Sequence, residues 1–163
     1  MDERPPHEAY AAIMGTFAGG LAAAGALSRL LGRDPQCQNA LDLTVLAVAT
    51  FKAARTLARD DVSSFIREPF IRERDDSPGR RADRGDEEPV ETGDWRQAIG
   101  ELVTCSRCVG TWAAAGLTTT QVLAPRFGRL LTWSLAAAGI NDFLQAGFAA
   151  LGSRANELQE RSG

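Results

Sequence analysis

From Ala9 to Ser28 the chain runs for about 20 residues without a charged side chain. A helix of that length spans the hydrocarbon core of a bilayer, because each residue advances it by about 1.5 Å and the core is about 30 Å thick. Gly15, Gly19, Gly20 and Gly25 lie inside the segment. In water each glycine weakens a helix interior by roughly 1 kcal/mol relative to alanine. In lipid glycine permits close helix approach, and Gly15 with Gly19 forms a small-xxx-small pair. The segment therefore predicts a membrane helix over about 9–31. A loose Ala/Gly helix in a soluble bundle is the competing reading. The apolar run is too long for a signal-peptide core, and the polar residues before it carry mixed charge, so the helix is expected to be retained.

Three further apolar segments follow. The second predicted helix covers about 40–59; Lys52, Arg55 and Arg59 make its far end basic, and such side chains can snorkel to an interface. The third covers about 106–124, free of charge from Val109 onward, rich in Thr and ended by Pro125. The fourth covers about 129–152, with Asn141 and Asp142 near its middle. No segment alternates as a half-buried strand does. The expected fold is all-α: a small multi-spanning helical membrane protein of about four hydrophobic helices, forming a single domain over 1–163. Between the second and third helices lies a polar loop. Its first part, Phe65 to Arg72, mixes apolar and basic residues and suits a membrane surface or a loop with two small anchors. Residues 73–93 are charged, hold Pro and Gly, and have little apolar content beyond Val90, so they are expected to be disordered. Trp95 to Glu101 reads as a short amphipathic lead-in.

Charge distribution tests this topology independently. Overall the chain is 44% hydrophobic and 24% charged, which is ordinary for a globular protein, so only the placement of the charges is informative. With four spans and both termini on one side, that side and the central loop hold fourteen of the 18 Lys and Arg residues. The opposite side holds Arg29, Arg33, Arg126 and Arg129. The positive-inside rule then places both termini and the central loop in the cytoplasm. Trp95, Trp112 and Trp133 fall near predicted span ends, where indoles favour the interface, although a core role would also suit them. The net charge of -3 gives no reason to expect nucleic-acid binding.

Few residues offer chemistry. Cys105-Ser106-Arg107-Cys108, followed by Gly110, has the spacing of a metal knuckle in which two thiolates converge on one ion. A structural zinc site needs four ligands, so Cys105 and Cys108 are a half-site that two copies of the chain would complete at a dimer interface. Cys37 is expected on the opposite side of the membrane, and His7 is distant. The same spacing serves thiol redox chemistry, usually in an α/β fold this chain lacks; two small residues at a helix start is the plainest reading. Three cysteines also argue against a disulfide framework. A second constellation is a structural charge pair: Asp142 with Arg55 or Lys52. Asp142 and Arg55 each fall about 12 residues into helices that run the same way, roughly 18 Å deep. A buried acid in a membrane pairs with a base or marks a transport path. Asp60 and Asp61 are expected to end the second helix. There is no phosphate loop, dinucleotide fingerprint, zinc-protease motif or serine elbow.

Several blocks together carry a family resemblance. Ala49-Thr50-Phe51-Lys52-Ala53-Ala54-Arg55-Thr56-Leu57 with Asp60, then Arg67-Glu68-Pro69-Phe70, form one. Gly100-Glu101-Leu102-Val103-Thr104-Cys105-Ser106-Arg107-Cys108-Val109-Gly110-Thr111-Trp112 and Asn141-Asp142-Phe143-Leu144 complete it. Over about residues 40–150 the chain resembles the bacterial membrane protein family of domain of unknown function 1360, some members of which are linked to sporulation. It departs at Lys52, where Arg is expected, and at Ser106-Arg107, where Pro and an aromatic are commoner. The resemblance implies an inner-membrane location and supplies no activity.

The expected role is therefore non-enzymatic: a structural or interaction protein of the lipid bilayer, acting as a homodimer or with a membrane-protein partner. A thiol-redox or zinc-stabilised protein, and a small transporter or pore using Asp142, are the alternatives.

Overall fold

The fold was read from a computed structural model that describes residues 6–33, 39–73 and 87–162. Five helices dominate: α1 (His7–Leu30), α2 (Ala40–Arg59), α4 (Trp95–Thr104), α5 (Ser106–Leu123) and α6 (Pro125–Ser162). Between α2 and α4 run a 3-10 turn over Asp61–Ser63, the single-turn α3 (Ser64–Arg67), a second 3-10 turn over Glu68–Phe70, and two short strands, β1 (Ile71–Glu73) and β2 (Glu87–Pro89).

Local chemistry explains where the helices begin. Asn39 and Asp42 form a capping box at the start of α2: Asp42 N–H donates to Asn39 Oδ1 at 2.8 Å, and Asn39 N–H returns to Asp42 Oδ2 at 3.3 Å. Both bonds satisfy donors that the helix itself leaves unpaired. Asp94 caps α4 by accepting from Arg96 N–H at 2.9 Å. α6 opens on Pro125, whose fixed φ suits a first helical position and which lacks an N–H to satisfy.

α2 is the axis of the bundle, packing on both α5 and α6. Against α6 the partners advance together: a Cβ on Gly139 would meet Val48, Lys52 bonds Asp142, and Phe51 stacks on Phe143 with ring centroids 5.3 Å apart. The near-constant offset means that α2 and α6 are parallel. Against α5 the partners run oppositely, with Ala54 facing Gly110 and Leu46 and Ala49 sharing a cluster with Leu117. α5 and α6 form an antiparallel hairpin, closed by a 2.8 Å bond from Gln121 Nε2 to Thr132 Oγ1. α1 follows α5 in the same direction: Tyr10 bonds Glu101 in α4, and Phe17 meets Trp112 edge-to-face at 5.1 Å. The long helices therefore alternate in direction along the chain.

The core is built from small residues. Leu46, Ala49, Leu117 and Ala136 are buried together, flanked by Val45, Val48, Leu131 and Leu135, and a second cluster joins Ala54, Ala58 and Val109. Alanine can fill a core only where backbones approach closely. Gly139 sets that approach for α2 and α6, since an added Cβ would lie 2.9 Å from Val48 Cγ1. Gly128 does so at the α5–α6 turn, where a Cβ would lie 2.5 Å from Gln121 N. By contrast, a Cβ added at Gly15, Gly19, Gly20 or Gly25 would meet nothing within 4 Å, so the small-residue face of α1 makes no close approach among the described residues.

The sequence expectation needs correcting in places. The lead-in before the third apolar segment is a full helix, α4, of 10 residues. The fourth helix does not stop near 152 but continues to Ser162. Part of the stretch expected to be disordered is ordered: Glu87–Pro89 pairs antiparallel with Ile71–Glu73, in the register Ile71 with Pro89. A ladder of three residues per strand is too short to show the two-residue period that marks a strand in sequence. Residues 74–86 of that stretch lie outside the described residues. Trp112 is half-buried against Phe17 of α1. Among the described helices, only α1 is long and apolar enough by itself to cross a membrane. α2 carries Asp42, Lys52, Arg55 and Arg59, and threonines dilute α5.

If the Gly139 contact holds α2 against α6, Gly139→Val should lower stability by about 1–3 kcal/mol through overpacking. Gly19→Ala, facing open space, should cost nothing. Thermal unfolding in detergent, followed by circular dichroism, compares the two.

Candidate functional site

One end of the bundle gathers the polar chemistry. There α2 stops, α5 begins, and the segment between them folds back over both. The last carbonyls of α2 lack intrahelical partners. Ser63 and Arg67 supply them. Ser63 Oγ lies within hydrogen-bonding distance of the carbonyls of Thr56, Leu57 and Asp60. Arg67 Nη1 donates to Leu57 O at 2.9 Å, to Asp60 O at 3.2 Å and to Ser63 Oγ at 2.8 Å. The Arg67 residue is fully buried. A guanidinium at a helix C-terminus also meets the negative end of the helix dipole. Phe65 and Ile66 beside it are exposed. Sequence reasoning read this stretch as a surface segment and missed the cap. Its signal was a serine and an arginine placed just after the helix-ending Asp60.

Nearby, Lys52 Nζ donates to Asp142 Oδ2 at 2.8 Å and stands 4.0 Å from Asp60 Oδ2. Of the three residues singled out for a charge pair, the structure brings Lys52 and Asp142 together. Arg55 is exposed and faces the start of α5 across a cleft. The reason is axial level. Val48 and Lys52 lie level with Gly139 and Asp142, whereas Arg55 sits three residues, about 4.5 Å, further along the same face of α2.

The cysteines sit at the start of α5. Cys105 is its N-cap, and its sulfur accepts from Cys108 N–H at 3.3 Å. Cys108 is exposed and Cys105 half-buried; both are free thiols. A hydrogen bond from the Cys108 side chain holds the Cys105 thiol below its ordinary pKa against the opposing effect of burial, with backbone N–H groups and the Arg107 charge adding to it. Position at a helix N-terminus favours a thiolate for the same electrostatic reason. The local arrangement used for thiol chemistry thus occurs here in a helical fold. Among the described residues no group of three or more His, Cys, Asp or Glu side chains could hold a metal ion. Cys37 lies outside the described residues, and His7 is exposed at the start of α1. Cys105 and Cys108 therefore remain a two-ligand set.

Comparison with known proteins places these blocks. Residues 45–148 match the family described as protein of unknown function (DUF1360). The chain is 32% identical over 110 residues to the sporulation protein YjcA of Bacillus subtilis (strain 168), covering 66% of this chain and 90% of that relative. No solved structure matches. Lys52, Asp142, Ser63, Arg67, Cys105 and Cys108 fall inside the matched stretch, and α1 falls outside it.

Two outcomes test the geometry. Asp142→Asn, which leaves the Lys52 ammonium without its carboxylate, should destabilise the protein by roughly 1 kcal/mol or more. Lys52→Met with Asp142→Leu should recover most of that loss in the same unfolding measurement. In a Cys37→Ser background, labelling of Cys105 by iodoacetamide should reach half-maximum at a higher pH after Cys108→Ala, because the Cys108 side-chain hydrogen bond is gone. An unchanged midpoint, read by peptide mass after digestion so that Cys105 is followed by itself, would remove the stabilised thiolate.

Proposed function

We propose, starting from the fact that this chain belongs to the DUF1360 family, that it is a four-span membrane protein with a structural or interaction role and no catalysis of its own. The observation that carries this reading is the unburied apolar surface. Leu43 is 61% exposed, Leu144 68% and Phe148 80%, while the buried core consists largely of alanines. Such a surface is a liability in water and the ordinary outer face of a helix bundle in lipid. The alternating directions of α1, α2, α5 and α6 suit an up-down-up-down passage through a bilayer. The charges of α2, which keep it from qualifying as a span by composition, lie at its two ends or pair with Asp142.

In this reading the end that holds Arg55, Arg59, Arg96 and Arg107 faces the cytoplasm, together with both termini and the central loop. The bond from Lys52 to Asp142 favours a structural charge pair over an ion path, since the acid already has its partner. The relative's name ties it to sporulation, and a role in a developmental membrane is the corresponding suggestion for this chain. A homodimer or a larger membrane assembly would cover the open glycine face of α1. A second reading rests on Cys105 and Cys108: two copies of the chain would supply four thiolates to one zinc ion.

Alkaline-carbonate extraction tests the spanning arrangement: the protein should stay in the membrane pellet. In a cysteine-free background, a cysteine introduced at exposed Thr92 should react with an impermeant maleimide only after the cells are opened. Release into the supernatant, or labelling in intact cells, would overturn the insertion or its direction respectively. Zinc bound at one ion per two chains, and lost in Cys105→Ser, would establish the second reading.

A further inference from the structure

Across the end of the bundle from the Lys52–Asp142 pair lies a cleft of about 430 Å³ between α2 and the start of α5. Arg55 and Arg59 reach it from α2, and Arg107 and Ser106 from the first turn of α5, with Phe51 as an apolar wall. No carboxylate belongs to its lining. Among the described residues neither Arg55 nor Arg107 has an acidic partner. Arg55 and Arg59 are four residues apart on one helix, a spacing at which like charges destabilise. Arg107 adds a third guanidinium from the facing helix, and the N-terminal end of the 18-residue α5 adds the positive pole of its dipole. The lining also includes Thr50, whose Oγ1 is buried with no hydrogen-bond partner. Buried hydroxyls are normally satisfied, and an incoming acceptor would satisfy this one. Lys52, by contrast, has Asp142 as its partner.

We infer that this cleft binds a phosphate group. Guanidinium forks match phosphate oxygens in bidentate fashion, and a helix N-terminus supplies further donors without a competing acid. One anion would bridge Arg55 and Arg107 on two helices and accept from Ser106 and Thr50. The phosphate can come from two sources. An anionic lipid headgroup would place its glycerol and acyl carbons against Phe51; a free phosphate would use the polar part alone. The lipid source rests on the membrane reading above, whereas the anion site does not.

The test uses the full chain purified in a neutral detergent. Phosphatidylglycerol, phosphatidylcholine and inorganic phosphate are offered separately, and binding is read by native mass spectrometry for the lipids and by thermal shift for phosphate. Wild type should retain phosphatidylglycerol over phosphatidylcholine, and Arg55→Gln with Arg107→Gln should weaken that retention by roughly tenfold, the loss of about 1.4 kcal/mol. Arg126→Gln with Arg129→Gln, at the other end of the bundle, should leave it unchanged. Stabilisation by inorganic phosphate, with the same dependence on Arg55 and Arg107 and no lipid preference, would support the site and assign the free anion. Equal retention in both double variants, or no response to either phosphate source, would overturn it. Arg107→Lys, which keeps the charge and loses the fork, should weaken binding without altering helix content, separating recognition from folding. A failure of carbonate extraction would remove the lipid source and leave the phosphate measurement standing.

Discussion

Everything at the polar end of this protein depends on how closely α2 can lie beside α6. Two parallel neighbours are brought together only because α5 returns the chain between them. Their contact then rests on the absence of a side chain at Gly139. With that face bare, Val48 packs on the α6 backbone, and Lys52, one turn further on, comes within 2.8 Å of Asp142. A bulkier residue at 139 would push the helices apart and lengthen that bond. The alanine-rich core and the ion pair are thus two results of one steric condition.

How much of this could be read in the sequence varied with the range of the interaction. Apolar runs and Pro125 located the four long helices, because helix periodicity and termination are local properties. The direction of α2 relative to α6 followed from connectivity once the helices were counted, and that put Asp142 near the right part of α2. Whether Lys52 or Arg55 would meet it depended on the axial register of α2 against α6, which no local pattern encodes. The cap formed by Arg67 was hidden for a similar reason. A buried arginine reads in sequence as surface charge, and here it is buried because backbone carbonyls receive it. The glycines of α1 pack on nothing among the described residues, so their spacing carries no information about packing within that part of the chain. The three-residue strands were too short to show any periodicity.

The arrangement divides the cations by what neutralises them. Lys52 is matched by a carboxylate, and Arg67 by the carbonyls of a helix end. Arg55 and Arg107 face a cleft without acids. Cys105 stands at the same helix start, so whatever occupies that cleft also sets the field in which its thiol titrates. Thiol reactivity at position 105 and anion occupancy beside Arg107 are therefore linked quantities.

α6 has one further consequence. It runs as an uninterrupted helix over 38 residues, from the hairpin at Pro125 through Asp142 to Ser162. At about 1.5 Å per residue, the stretch after Asp142 alone extends roughly 30 Å. No proline breaks it. A body attached near its tip would act on the ion pair as on the fulcrum of a lever, since a continuous helix passes on rotation and tilt that a jointed tail would absorb.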